Sequence, residues 1–143
     1  MKLILTTIKD LTPLSLVTYS NKRQEVAIGY NHVLGIYNGQ ECTQEEAEKW
    51  LYNDIVSLKL SIYKYVNIAL TKHQERALIS LVHDIGLEEF LKSKLLRHLN
   101  NKQFNLASSC FLTYNTNGRA VSVAVLRRRQ MEQNIFKLDE SVS

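Results

Sequence analysis

Val26-Ala27-Ile28-Gly29-Tyr30-Asn31-His32 interrupts a chain whose apolar residues otherwise recur at helical spacing. Across 24–39 the helical period is lost. Glycines at 29, 35 and 39, with Asn21, Asn31 and Asn38, punctuate short apolar pieces. Glycine and asparagine tolerate the backbone geometry of tight turns, so this stretch reads as a small β-hairpin region. Its strand candidates are 26–30 and 33–37. Strands this short need a packed neighbour to be stable.

Downstream, helices start with clear signals. Thr43-Gln44-Glu45-Glu46 is a capping box, in which the threonine hydroxyl and the glutamate carboxylate satisfy backbone N–H groups reciprocally. Ala47, Trp50, Leu51, Ile55, Leu58, Ile62 and Tyr65 then draw one apolar stripe at spacings of three and four. Thr71-Lys72-His73-Gln74 is a second capping box, opening a helix through Ala77, Leu78, Leu81, Val82 and Ile85 that Gly86 ends. The segments 88–100, 102–112 and 119–136 keep the same period. Upstream, Met1-Lys2-Leu3-Ile4-Leu5 reads as a first helix or strand, because Thr6-Thr7 and Lys9-Asp10 break the apolar run well short of an export signal or a membrane span. The pattern is therefore α+β and mostly α.

Composition narrows the function classes. With 45% hydrophobic and 22% charged residues over 143 positions, the chain is an ordinary folded domain and not a disordered segment. Cys42 and Cys110 stand far apart without a second pair, which gives neither a disulfide framework nor a zinc site and fits two free thiols in a reducing compartment. His83-Asp84 suggests a metal pair at first sight, but neighbouring helical residues point in different directions and no third ligand is evident. No metal or cofactor is implied. The net charge of +4 favours anionic polymers, yet no nucleic-acid motif surrounds the basic residues, which include the run Arg127-Arg128-Arg129.

Together these landmarks resemble the phage-type lysozymes, glycoside hydrolase family 24, endolysins that cut the glycan strands of peptidoglycan. Ile8-Lys9-Asp10-Leu11 is similar to the end of that family's first helix, and Ile28-Gly29-Tyr30-Asn31-His32 to its Ile-Gly-Tyr-Gly-His hairpin run. Gly35 and Gly39 match the hairpin's closing glycines. Thr43 to Leu51, Leu70-Thr71-Lys72-His73-Gln74, Ser93-Lys94-Leu95-Leu96 with Leu99-Asn100, and Gly118 to Phe136 resemble further family segments in the same order. The resemblance covers roughly residues 8–136. It implies a single lysozyme-like domain over 1–143: a β-hairpin lobe at 13–42, a connecting helix over 43–70, and a helical lobe over 71–136 with helix 1–12 packing on it. A ligand is expected in the cleft between the lobes.

The resemblance also places the family's catalytic positions, and all three hold unsuitable residues. The acid position falls at Thr12, the second carboxylate at Asn21 and the water-holding hydroxyl at Ala27. Glycoside hydrolysis ordinarily needs one carboxyl to protonate the leaving oxygen and another to activate water or stabilise the cationic sugar. Threonine keeps its proton near neutral pH, and a neutral amide offers no charge. Losing a general acid alone typically costs about 10²–10⁴-fold in rate, roughly 3–5 kcal/mol of barrier. Asp10 and Glu25 are the nearest carboxylates that could substitute, although Pro13 opposes a shifted first helix at Thr12.

By the same resemblance Tyr30, Asn31, Asn115 and Arg119 fall on the cleft walls, with groups suited to sugar contacts. His32 reads as a structural histidine bonded across to the helical lobe. Asn31 replaces a glycine, so it narrows the cleft floor or demands a positive backbone dihedral. An arginine of the family's closing helix pairs with its catalytic glutamate; the resemblance implies one of Arg127, Arg128 and Arg129 at that position, with Arg128 taken as the match. Without a carboxylate at 12, its guanidinium is expected to be free for solvent, Asp10 or an anionic ligand.

The leading expectation is thus a lysozyme-like protein that has lost muramidase activity and acts by binding a peptidoglycan fragment or a protein partner. One rival is an active endolysin with a non-standard constellation, and another is a virion or host-interaction module. A monomer is expected, without a membrane segment, in the cytoplasm of a phage-infected or lysogenic bacterium and released to the periplasm by other lysis proteins.

Overall fold

A computed structural model describes residues 1–138. Helix α1 (Lys2–Leu11) settles the opening of the chain, left between helix and strand by its sequence. Ile4, Thr7 and Ile8 recur at spacings of three and four and form its buried side. The helix stops at Pro13. A proline ring disfavours helical geometry at the residue before it, and Thr12 is accordingly extended, at φ −120° and ψ 115°.

The hairpin is built from β1 (Ser15–Ser20) and β2 (Val26–Gly29), paired antiparallel with Tyr19 opposite Ala27 and Ser20 opposite Val26. A register irregularity between Ser15 and Tyr19 brings Ser15 opposite Gly29. Sequence pattern therefore located β2 but not its partner: 33–37 forms no strand, and β1 precedes the glycine-rich stretch. The physical reason is backbone sign. Positive φ at Asn31 (61°), Gly35 (75°) and Gly39 (88°) curls 31–39 into successive turns, and the chain then returns along the outer edge of β1. There the Cys42 N–H donates to the Leu16 carbonyl at 2.9 Å, and Val17 pairs with Glu41.

Helix α2 (Gln44–Tyr63) begins at the expected capping box. The Glu46 N–H donates to Thr43 Oγ1 at 3.1 Å while the Thr43 N–H donates to Glu46 Oε1 at 3.0 Å. It ends at Tyr63, short of the 43–70 read from sequence.

The chain divides into two compact units, Met1–Ser57 and Leu58–Ser143. In the first, Ile8, Ala27, Ile28, Ala47, Leu51 and Ile55 are buried. In the second, α3 (Lys72–Ile85) opens on the Thr71 capping box and closes at Gly86, whose φ of 92° suits glycine. The segment 88–100 is not one helix but two, α4 (Leu87–Leu91) and α5 (Lys94–Asn100). Ser93 divides them: its hydroxyl donates to the Phe90 carbonyl at 2.6 Å and accepts from the Leu96 N–H at 3.1 Å. Helix α6 (Phe104–Cys110) runs into a short 3₁₀ turn at Phe111–Thr113, and α7 (Val123–Phe136) starts four residues later than its sequence pattern suggests, capped by Ser122. Helix α7 packs on α3. Its buried side mixes charge with apolar surface, for Arg129 and Glu132 are buried along with Phe136, while Val123 and Met131 are exposed.

Candidate functional site

The residues singled out by sequence fall into two groups, one in each unit. In the first unit Thr12 is the C-cap of α1, buried, with its N–H donating to the Ile8 carbonyl at 2.8 Å. Asp10 lies exposed on α1. Ala27 sits in β2 with no exposed surface.

Asn21 organises the turn between the strands. Its Oδ1 accepts from the backbone N–H groups of Arg23 at 2.9 Å and Glu25 at 3.0 Å. Its Nδ2 donates to Asn31 Oδ1 at 2.9 Å and to Glu25 Oε1 at 3.3 Å. An amide has two acceptor lone pairs and two donor hydrogens, and here all four are engaged. Glu25 is half exposed at its side chain and is held by Arg23 Nε at 2.7 Å. The positive dihedral demanded of Asn31 is present, at φ 61°.

Tyr30, read as a sugar contact, is 5% exposed. His32 is also buried. Its Nδ1 lies 2.8 Å from Asp54 Oδ2, and its ring stacks on Trp50 with centroids 4.8 Å apart and planes 8° from parallel. Both partners of the histidine lie on α2, where the sequence reading expected a bond to the helical lobe. The helical stripe contains Trp50, and Asp54 lies four residues on, one turn along the same helix. That spacing was the signal available in the sequence. Lys9 and Glu48 add a surface pair at 2.6 Å, which raises the lysine's pKa and lowers the glutamate's through their hydrogen bond and charge.

In the second unit the expected free guanidinium is absent, because Arg128 is enclosed by α3 and its own helix. Its Nε lies 3.2 Å from Glu132 Oε2, its Nη2 donates to the Ser80 carbonyl at 3.0 Å, and its Nη1 lies 3.8 Å from Asp84 Oδ1. Burial drives this. A charge removed from water must be paired, and the carboxylates of Glu132 and Asp84 are the local anions.

Arg129, which the sequence reading did not separate from its neighbours, is the most deeply buried of the run. Its Nε donates to the Tyr114 carbonyl at 2.8 Å, its Nη1 to Glu132 Oε1 at 2.8 Å, and its Nη2 to Asp84. Burial alone would lower the arginine's pKa, but Glu132 and Asp84 outweigh it and the net direction is upward. Ser80 Oγ closes the cluster by donating to Glu132 Oε2. The cue in sequence was Glu132, three and four residues beyond the two arginines.

Asn115 and Arg119 belong to the loop before α7. The Asn115 carbonyl accepts from the Ser122 N–H at 2.9 Å, and Arg119 is exposed, its N–H donating to Asn117 Oδ1 at 3.1 Å. Asp84 is thus an arginine partner. Among the described residues no group of three or more His, Cys, Asp or Glu side chains could hold a metal ion, and no helix is long and apolar enough to cross a membrane.

Comparison with known proteins gives one consistent result. The family model described as phage lysozyme matches residues 9–132. The endolysin of Acyrthosiphon pisum secondary endosymbiont phage 1 is 31% identical over 134 residues, covering 91% of this chain and 92% of its own. The endolysin of Salmonella phage P22 is 30% identical over 126 residues, covering 85% and 86%. Among solved structures, the muramidase domain of SpmX from Asticaccaulis excentricus superposes with a TM-score of 0.85 at 26% identity over 97% of both chains. A variant of P22 lysozyme does so with a TM-score of 0.76 at 29% identity, over 95% of this chain and 96% of its own.

Proposed function

The chain belongs to the phage lysozyme family, and from that premise we propose that it binds peptidoglycan fragments without cutting the glycan. The observation that carries this reading is Asn21. At the position the family resemblance gives to the second carboxylate stands a neutral amide whose four hydrogen-bonding positions are all taken up by the turn. Thr12 and Ala27 at the other two positions supply neither an acid nor a hydroxyl to hold water. A reaction that needs two carboxyl groups lacks both at the expected places.

The test is clearing of a peptidoglycan suspension beside an active endolysin, together with titration of soluble muropeptides. Expected are no clearing and saturable muropeptide binding by a monomer. Clearing at a rate near that of the active enzyme would sink the proposal. On this reading the protein accumulates in the cytoplasm of the infected bacterium until other lysis proteins admit it to the periplasm, which fractionation of infected cells checks.

A second reading is favoured by one distance. Glu25 Oε1 lies 3.3 Å from Asn21 Nδ2, so a carboxylate borders the position that lost one. If Glu25 serves there, purified protein cleaves peptidoglycan and Glu25→Gln abolishes the cleavage. Against it stands the Arg23 guanidinium at 2.7 Å, which already neutralises that carboxylate. A protein partner in place of the glycan would appear as saturable, stoichiometric binding to a purified host or virion protein with no muropeptide binding.

A further inference from the structure

We propose that Glu25 determines that position 21 holds an amide and excludes an ionised carboxylate, so the neutral hairpin is an interlocked set of residues and not one substitution away from a charged one. The inference rests on the reading of position 21 given above for its meaning, but not for its physics.

The orientation of the Asn21 side chain is fixed by its surroundings. Two backbone N–H groups, of Arg23 and Glu25, can only donate, so the atom they meet at 2.9 and 3.0 Å is the oxygen. The nitrogen therefore faces Glu25 Oε1 at 3.3 Å and Asn31 Oδ1 at 2.9 Å. In Asn21→Asp the first oxygen keeps both N–H partners. The second oxygen takes the place of a donor and meets two acceptors.

Those acceptors respond differently. Asn31 can turn its amide and present its nitrogen. Glu25 has no donor to offer while ionised, and Arg23 Nε holds it toward the turn. Two carboxylates would then share the single guanidinium of Arg23. The other ionisable groups on this stretch are Tyr19 on β1, Lys22 in the turn, and Tyr30 and His32 beyond β2, with His32 committed to Asp54. Of them all, Glu25 brings the negative charge. Two unit charges at this separation interact strongly enough, even at the dielectric constant of water, to move an apparent pKa by about one unit. Burial of the half-buried position 21 adds to that.

The experiment is a carboxyl titration by nuclear magnetic resonance, with thermal midpoints from pH 4 to 7, on the parent, Asn21→Asp and Asn21→Asp/Glu25→Gln. In Asn21→Asp the two carboxyls are expected to titrate as a coupled pair, with the upper apparent pKa raised by about one unit or more. A folded-state pKa above the unfolded value means stability present at low pH and lost as pH rises. The midpoint of Asn21→Asp should therefore fall further below the parent's at pH 7 than at pH 4, and Glu25→Gln in the same background should remove that pH-dependent deficit.

If Asn21→Asp is unfolded at pH 7, recovery of folding in the double variant supports the lock, and no recovery overturns it. Ordinary titration of both carboxyls, with a midpoint that tracks the parent across the range, also overturns it. Because these readouts do not involve cleavage, peptidoglycan clearing by the parent would end the non-hydrolytic reading and leave this inference standing, and the reverse holds equally.

Discussion

Gly29 shows how narrowly single residues are specified. It sits at φ 67°, where an L side chain is strained, and a Cβ built there would lie 3.0 Å from the Cβ and 3.3 Å from the Cα of Ala47. Gly35 has φ 75° with nothing within 4 Å. The two glycines thus separate conformational strain from crowding. Gly35→Ala carries the backbone penalty alone, roughly 1–2 kcal/mol. Gly29→Ala adds overpacking against helix backbone, typically about 1–3 kcal/mol more. Urea denaturation midpoints should rank parent, Gly35→Ala, Gly29→Ala in falling order. Equal losses for the two variants would show that α2 yields at Ala47.

At the scale of elements, caps and buried charges differ in weight. Thr71→Ala removes the hydroxyl that accepts from the Gln74 N–H at 3.0 Å, and loss of an N-cap typically costs about 1 kcal/mol. Glu132→Gln leaves Arg129 and Arg128 in the interior with Asp84 as the remaining carboxylate of the cluster, and breaking a buried pair costs about 3–5 kcal/mol. Denaturation of both variants should give the second loss several times the first. A loss below that of Thr71→Ala would mean that water reaches the cluster.

The contrast also explains what the sequence discloses. Capping boxes are local, with partners three residues apart, and both were legible at Thr43 and Thr71. The hairpin's first strand was not, since Ser15–Ser20 becomes a strand through pairings with residues up to 24 positions away. The reading of α7 failed for a related reason. Its apolar residues Val123 and Met131 lie outward while Arg129 and Glu132 lie inward, which periodicity cannot reveal because the compensating carboxylate, Asp84, lies on α3. Thr12, Asn21 and Ala27, at the positions the family resemblance singles out, were legible one by one. The four-bond closure of Asn21 was not, as it depends on the turn's backbone and on Asn31 ten residues away.

Across the molecule, the junction of α2 and α3 is a place where stability should be lost on the alkaline side. Burial, then the hydrogen bond to Glu75 at 2.6 Å, raises the pKa of the Tyr63 hydroxyl. An unfolded tyrosine ionises near about pH 10. With the folded pKa above the unfolded one, this contribution is fully present below about pH 10 and is lost as pH rises through the folded value. Thermal midpoints from pH 8 to 11 should therefore decline more gently in Tyr63→Phe than in the parent. An identical slope would place the alkaline weakness elsewhere.

Arg129 has one more consequence, concerning order in time. Its guanidinium is a three-way joint whose arms reach the Tyr114 carbonyl, Glu132 on its own helix and Asp84 on α3. A lysine offers a single point of charge and cannot span three such acceptors. During synthesis Asp84 emerges some 45 residues before Arg129, so α3 is made well ahead of the guanidinium that its carboxylate meets in the interior. Helical unit formation is thereby tied to the arrival of α7, and a nascent chain stalled before residue 129 is expected to be the form most exposed to proteases.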